Sequence, residues 1–279
     1  MKKMIATLCA ALACSFLFTA TPVMAKSANY ERTQTKNYQM IWSNGTNKIY
    51  LKNTTKNDQY GSPVTTKQKL CLKNVKSGKV KVLKNFTLNT ENDESYSIGN
   101  VYGTTIYLNK IRGVGDGDLY TYNWKTDKFM RVRKNFIILN AFGKYMITGN
   151  YLPSDIGPYP AYVYRITSKG LEKLKKLGAN TTQAQFVNGK IYYAKFPGDG
   201  SIHSMSVCSC SVTGKNAKTV FRVSAKDELG YVMLEKVDKN SIVYVDVPND
   251  GDPVYYRFDM KTEKTTQIPE KEVQQMLGV

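Results

Sequence analysis

Aspartates recur at one point of a repeated pattern, and carboxylates so spaced can bind a cation or a hydroxyl-bearing ligand. Each follows an Ile-Tyr-like pair by seven to nine residues, and the five are Asp58, Asp116, Asp155, Asp199 and Asp250. Asp118 and Asp252 complete two Asp-Gly-Asp sequences. Carboxylate oxygens are the ligands that calcium prefers. The pattern predicts a partial acidic ring that binds calcium, a sugar or a cationic ligand.

The same aspartates also have a purely structural interpretation. Asp-Gly is a favoured hairpin turn because both positions tolerate positive φ. A hairpin that is repeated five times repeats its turn chemistry without any ligand. Both interpretations stay open, and the pairs Asp116/Asp118 and Asp250/Asp252 are the best ligand candidates.

Two further groups of side chains are candidates for catalysis or for sugar binding. His203 is the only histidine, and Ser204 beside it on a predicted strand points to the opposite face. Because a catalytic triad needs convergent side chains, a partly exposed strand histidine is favoured. Tyr151 and Tyr159 lie in a long loop with three prolines, and loops on rigid scaffolds often bind ligands. These two tyrosines are candidates for stacking on a sugar ring.

The repeat also predicts the elements that position these residues. Each copy reads as a hairpin of strands A and B followed by a hairpin of strands C and D. The anchor position in strand B is occupied by Tyr50, Tyr107, Met146, Tyr192 and Val243. Four antiparallel strands in every 40–50 residues, roughly, are typical of a propeller blade. The sequence therefore predicts an all-β propeller of about five blades.

The predicted domain organisation has three parts. Residues 1–25 read as a signal peptide, because Lys2 and Lys3 precede an apolar run that ends before a cleavage site at Ala25. Residues 26–268 form the propeller, with blades near 37–90, 91–135, 136–180, 181–224 and 225–268. Residues 269–279 form a tail or short helix that begins at Pro269. The region after the signal is a candidate to supply a strand that closes the last blade.

Charge and cysteines limit the partners. The formal net charge is +18, and for an exported chain this predicts an anionic wall polymer, a glycan or a protein as partner, and no nucleic acid. A solvated surface with lysines on exposed strand positions is the favoured explanation of the charge. Outside the signal lie Cys71, Cys208 and Cys210. Their default role is buried, reduced core packing, and one disulfide between blades is the alternative. A zinc site has little support with one histidine, and calcium is the only cofactor considered.

Two segments resemble a known family. Gly189-Lys190-Ile191-Tyr192-Tyr193, and Val254-Tyr255-Tyr256-Arg257-Phe258-Asp259 before Lys261-Thr262, resemble the repeats of secreted bacterial β-propellers of unknown function, relatives of TolB-like and YWTD-type propellers. The resemblance implies the fold and brings no catalytic signature. The chain departs from the pattern at Tyr145-Met146 and at Cys208-Ser209-Cys210.

The sequence favours a non-enzymatic function. It predicts an exported binding scaffold of the cell envelope or extracellular space, for a glycan, wall polymer or protein. The alternative is an extracellular polysaccharide hydrolase or lyase that uses two carboxylates of the B–C loops, as glycosidases do. Two carboxylates facing each other in a cleft would favour the enzyme.

Overall fold

The chain folds as a β-propeller of five blades, as the repeat predicts. The computed structural model describes residues 31–34, 40–57, 60, 63–112, 116–149, 160–178, 181–198 and 201–277. Within them lie twenty-one strands in five antiparallel sheets, each built from consecutive strands, and one α-helix.

The first two blades cover the N-terminal half of the described chain. The first contains β1 (Glu31–Gln34), β2 (Met40–Ser43), β3 (Asn47–Asn57), β4 (Pro63–Asn74) and β5 (Val80–Thr87). A short 3-10 turn, Thr90–Asn92, leads into the second blade. That blade contains β6 (Ser95–Tyr102), β7 (Thr105–Arg112), β8 (Asp116–Asn123) and β9 (Lys128–Arg133).

The remaining blades each have four strands. The third contains β10 (Ile137–Phe142), β11 (Tyr145–Gly149), β12 (Tyr162–Thr167) and β13 (Gly170–Lys176). The fourth contains β14 (Thr181–Val187), β15 (Lys190–Lys195), β16 (Ser204–Ser211) and β17 (Lys218–Ser224). The fifth contains β18 (Tyr231–Val237), β19 (Ser241–Val247), β20 (Val254–Asp259) and β21 (Thr265–Ile268), and α1 (Glu270–Leu277) follows.

The N-terminal strand extends the first blade and not the last. β1 pairs antiparallel with β2, from Glu31 opposite Ser43 to Gln34 opposite Met40. All four described strands of the fifth blade come from its own hairpins. β1 therefore does not supply the strand that was predicted to close the last blade.

Alternating side chains pack each blade against its neighbour. Because successive residues of a strand point to opposite faces, Ile106 contacts the first blade while Tyr107 contacts the third. In the third blade Met146 faces the second blade and Ile147 faces the fourth. Ile147, not Met146, is thus the counterpart of Tyr107, and the anchor that the sequence placed at Met146 was one residue early.

A β-bulge recurs in the first strand of blades two to five. The register between strands A and B shifts at Ile98/Asn100, Ile138/Asn140, Thr182/Gln185 and Leu234/Lys236. A bulge raises the local twist of a sheet, and a recurring bulge twists each blade alike. At Gly99 a Cβ would lie 2.8 Å from Ile138 Cβ, so this glycine allows the second and third blades to approach closely.

Side-chain amides join several blades, because each forms hydrogen bonds with both the N–H and the C=O groups of the following blade's backbone. Gln68 Nε2 donates to Tyr96 O at 3.1 Å, and Tyr96 N donates to Gln68 Oε1 at 2.7 Å. Asn109 makes the same pair of bonds with Ile138, at 2.9 and 2.8 Å. Gln185 accepts from Val237 N at 3.0 Å and donates to the fifth blade's backbone. These amides satisfy backbone groups of β6, β10 and β18, each the edge strand of its sheet.

The predicted C-terminal helix and the predicted state of the cysteines are confirmed. α1 packs Val273, which is 2% exposed, against Val243 and Ile268 of the fifth blade. Cys71, Cys208 and Cys210 are buried and form no disulfide. In the residues that the structure describes, no helix has the length and apolar character needed to cross a bilayer.

Candidate functional site

The structure describes some of the predicted site residues. Asp58, Asp155, Asp199, Tyr151 and Tyr159 lie outside the described residues. Asp250 and Asp252 are exposed in the B–C connection of the fifth blade, where Asn249 Nδ2 donates to Asp250 Oδ2 at 3.3 Å. Asp116 begins β8, and Asp118 lies inside that strand.

Asp118 is a buried ion-pair centre. Its side chain is fully buried, and Oδ2 lies 3.0 Å from Arg112 Nη2 and 3.6 Å from Arg131 Nη1. Its other oxygen, Oδ1, accepts the backbone N–H of Asn135 at 3.1 Å. A buried carboxylate needs paired charges and hydrogen bonds to offset its desolvation. Asp118 therefore fixes the loop between β9 and β10 to the centre of β8.

That loop is held in one conformation by backbone contacts. Asn135 has φ near 50°, a left-handed value that asparagine tolerates better than most residues. Phe136 N donates to Gly117 O at 2.6 Å. The loop thereby presents Arg133, whose Nη1 donates to Tyr164 OH at 3.1 Å and whose guanidinium lies 4.9 Å from the centre of the Phe136 ring.

A cleft opens between this loop and the third blade, and we call it the basic cleft. Its volume is about 240 Å³. Its lining consists of Arg133, Lys134, Asn135, Phe136, Thr148, Gly149, Tyr162, Tyr164 and Lys173. The Lys173 ammonium lies 3.8 Å from the centre of the Tyr162 ring. Three cations and three aromatic rings therefore line one small cleft, and the described residues of its lining include no acid.

The chemistry of the basic cleft suits a carboxylated sugar. A guanidinium matches a carboxylate with two parallel N–H donors, and Arg133 is already oriented by Tyr164 OH. Aromatic faces offer apolar area to a pyranose ring, and the phenol hydroxyls supply polar contacts at the edge. The cations at Lys134 and Lys173 raise the local concentration of anions. These groups can bind and orient a ligand.

A larger cavity lies beside the equivalent strand ends of the fourth blade. Its volume is about 430 Å³. Lys195, Ser206 and Arg222 line it from three adjacent strands, since Lys195 pairs with Ser206 and Ser206 with Arg222. Cys208 also lines it, with Sγ 4.0 Å from Thr219 Oγ1. Like the basic cleft, this cavity brings cations and hydroxyls together where strand B ends.

In the fifth blade, the acid Asp246 lies near the corresponding end of strand B, which is β19. Asp246 is 5% exposed, and its Oδ2 accepts Lys226 N at 3.3 Å. The Lys226 ammonium bonds Tyr256 OH, and this bond raises the pKa of Lys226. His203 Nδ1 lies 3.3 Å from Gly230 O. Over the described part of the chain, no group of three His, Cys, Asp or Glu side chains could hold a metal ion.

The residues of the basic cleft could not be recognised from the sequence. Arg133 and Lys134 end a short basic run, Arg131-Val132-Arg133-Lys134, that was not separated from the general positive charge. Tyr162 and Lys173 come from strands C and D and meet only through the pairing of β12 with β13. The one local signal was the position of the basic run, directly before the predicted start of a blade.

Comparison with known proteins gave structural matches alone. No protein-family model matches the chain, and no curated protein matches it significantly in sequence. Similar solved structures include TolB from Acinetobacter baumannii, with 13% identity, a TM-score of 0.42, and coverage of 86% of this chain and 63% of TolB. An oligogalacturonate lyase in complex with manganese has 11% identity, a TM-score of 0.46, and coverage of 86% and 84%.

A third match is longer than this chain. Prolyl oligopeptidase B from Galerina marginata has 10% identity, a TM-score of 0.50, and coverage of 80% of this chain and 32% of the oligopeptidase. The chain thus spans less than two thirds of TolB and about a third of the oligopeptidase. At these identities the matches show the fold alone.

Proposed function

We propose that this propeller is a non-enzymatic binding scaffold of the cell envelope or extracellular space, and that its basic cleft binds a carboxylated glycan. The observation that carries the proposal is the convergence of Arg133, Lys134 and Lys173 on Tyr162 and Tyr164. The predicted signal peptide supports the extracytoplasmic location.

The construction of the cleft supports binding through an arginine anchor. Asp118 holds the loop that follows Arg133 through Asn135 N, so Arg133, at the end of β9, is positioned before a ligand arrives. Preorganisation lowers the entropic cost of association. A hydrogen bond to a charged group contributes about 1.5–3 kcal/mol. Removing the arginine anchor should therefore weaken binding by roughly 10–100-fold.

Binding of polygalacturonate, measured by calorimetry at low and moderate salt, tests the proposal. Arg133→Ala and Lys173→Ala should each weaken binding at least tenfold. Arg133→Lys keeps the charge and loses the bidentate geometry. Its affinity for polygalacturonate should therefore lie between those of wild type and Arg133→Ala. Lys239→Ala is the matched control, because Lys239 is an exposed lysine in the A–B turn of the fifth blade.

Two outcomes would reject the proposal. Wild-type protein that does not bind polygalacturonate would reject the carboxylated glycan. Equal losses in Lys173→Ala and Lys239→Ala would mean that total charge, not the cleft, governs binding. Thermal unfolding of each variant separates loss of binding from loss of fold.

The two alternatives from the sequence stay predictions. Cleavage by B–C carboxylates would release new chain ends from the same polymer, which a reducing-end assay measures. Calcium binding would appear in a calorimetric titration of wild type and be reduced in Asp116→Ala and Asp250→Ala. Identical calcium traces for all three proteins would remove the metal role of these acids.

A further inference from the structure

The face of the first blade that is turned away from the second carries a row of lysines, which we call the lysine ladder. Its members are Lys48, Lys52 and Lys56 on β3 and Lys67, Lys69 and Lys73 on β4. Lys48 lies directly opposite Lys73, and Lys52 lies directly opposite Lys69. Five of the six are exposed and Lys73 is partly exposed. The ladder therefore presents paired positive charges to solvent.

Tyr50 and Cys71 form the step between the two lysine pairs. They are opposite each other on the same face. Burial raises the pKa of the Cys71 thiol, and the nearby ammonium groups of Lys52 and Lys69 oppose this effect. The thiol therefore stays protonated at neutral pH and does not neutralise the lysines. The ladder keeps its charge along its whole length.

The strands that carry the ladder place no acid among these charges. Residues 40–90 contain ten lysines, no arginine and one acid, Asp58. None of the strands β2 to β5 contains an aspartate or glutamate. Surface lysines normally alternate with acids that screen them. Strands β2 to β5 thus carry charges of one sign only.

Protection of a sheet edge does not explain the ladder. Lysines on edge strands discourage pairing with other chains, but β3 and β4 are interior strands of the first sheet. Like charges directly opposite each other on neighbouring strands are destabilising. Two such pairs on interior strands lower the stability of the blade, and a polyanion that lies across them would remove this repulsion.

We propose that the lysine ladder is a docking surface for a linear polymer that carries phosphate groups and lies along β3 and β4. Lysines four residues apart on a strand are about 13 Å apart, so β3 alone offers a track of about 26 Å. Opposed lysines are about 5 Å apart and can share one phosphate. Lysine binds phosphate as a point charge, whereas carboxylate recognition favours the arginine fork.

This surface is separate from the basic cleft. The ladder lies on the first blade and contains no arginine, while the cleft lies between the second and third blades and is built around Arg133. The ladder proposal does not rest on the function proposed for the cleft. A different polymer tests each site, so that one can fail while the other holds.

The test measures binding of inorganic polyphosphate to the purified protein over a range of salt concentrations. Wild type should bind with a salt slope of about −4, from roughly 0.7 for each of six lysines in contact with a flexible polyanion. Lys48→Gln/Lys52→Gln/Lys69→Gln/Lys73→Gln should bind at least 100-fold more weakly at low salt. Its slope should be shallower by about 3.

A matched variant removes four exposed lysines from C–D turns. It is Lys76→Gln/Lys79→Gln/Lys261→Gln/Lys264→Gln, which changes the net charge equally. It should bind polyphosphate within threefold of wild type. The ladder variant should also unfold at the same or a higher temperature than wild type, because its opposed charges are gone. A higher Tm with weaker binding separates the docking role from a structural one.

Several results would overturn the proposal. These are absence of polyphosphate binding by wild type, equal losses in the two quadruple variants, and tighter binding of duplex DNA than of polyphosphate. Salt-sensitive self-association that the ladder variant abolishes would assign the face to a second copy of the chain instead. Binding of polygalacturonate that depends on the ladder and not on Arg133 would assign it to a carboxylated polymer.

Discussion

The first and fifth blades share a strand order, but their outward faces differ in chemistry. In the fifth blade, Val243 and Ile268 point away from the fourth blade and are buried beneath Val273 of α1. In the first blade, the face turned away from the second blade carries the lysine ladder, which is exposed except for the partly exposed Lys73. One end face is apolar and covered by the chain itself, and the other is charged and solvated.

The difference shows how each end of the propeller meets the requirement for burial. Burying apolar surface stabilises the folded state by about 25 cal/mol for each Å² removed from water. The apolar outward face of the fifth blade is therefore stabilised by the helix that covers it. Arg257 Nη2 holds the helix through Glu272 Oε1 at 2.5 Å, and the Lys236 ammonium bonds the carbonyl of Met276. The lysine ladder has no such requirement, and its charges stay available to a partner.

The comparison also depends on which face of the first blade is packed. Ile49 faces the second blade, whereas Ile106, Ile191 and Ile242 face the blade that precedes their own. By its packing, Ile49 is therefore the counterpart of Tyr107, which also faces the next blade, and the anchor that the sequence placed at Tyr50 was one residue late. Because strand residues alternate, the inward packing of Ile49 puts Lys48 and Lys52 on the outward face and keeps the apolar side of β3 inside.

Breaking the packed face of the first blade should have the largest effect. Trp42 is 1% exposed, and its Nε1 donates to Ile98 O at 3.2 Å. Trp42→Ala should lower the free energy of unfolding by about 4 kcal/mol through the cavity and the unpaired carbonyl. For a chain of this size, the Tm should fall by about 8–16 °C.

The contrasting variant lies on the outward face of the same sheet. Tyr50 is partly exposed, and Tyr50→Ala should lower the free energy of unfolding by about 1 kcal/mol or less. Denaturant unfolding, followed by far-UV circular dichroism, measures the free energy of unfolding of both variants. Similar losses for Trp42→Ala and Tyr50→Ala would show that the two faces are equally packed, against the assignment made above.

Uncovering the fifth blade should have the next largest effect. Val273→Asp places a charge in the contact with Val243 and Ile268, which should lower the free energy of unfolding by about 3 kcal/mol. Gln275→Asp adds the same charge at an exposed position of the same helix. Differential scanning calorimetry should show a clear loss for Val273→Asp alone, and equal Tm values would mean that α1 does not cover the blade.

The fold could be predicted from the sequence because its signals are local. Turn residues such as Asn188-Gly189 and Thr126-Asp127 mark hairpins directly, and an alternating strand shows its two faces. The error at Met146 arose because two adjacent apolar residues, Met146 and Ile147, face different neighbours. Only the packing of the second and fourth blades distinguishes them.

The candidate site could be predicted only in part, because its contacts are not local. Asp118 was noted as an acid, but its pairing with Arg112 and its bond to Asn135 N depend on strand register and on loop closure. The lysine ladder likewise requires the pairing of β3 with β4. A count of lysines gives the charge, and only the register shows that the charges are opposed.

The smallest expected effect concerns an acid at the covered end. Burial raises the pKa of Glu235 in the first strand of the fifth blade above its ordinary value. The folded state therefore binds a proton more readily than the unfolded chain. The stability cost of ionising Glu235 is absent below the unfolded pKa, near 4.3. It develops as the pH rises through the folded pKa.

Glu235→Gln should therefore raise the Tm at pH 7 by about 1–2 °C, and the gain should vanish as the pH falls towards about 4. Glu228→Gln is the control, since Glu228 is exposed in the loop before β18, and it should leave the Tm unchanged at both pH values. A gain for Glu235→Gln that persists at pH 4 would come from something other than ionisation. A Tm gain that depends on pH would show that a charge in the fifth blade lowers its stability, whereas the first blade carries its lysines in solvent.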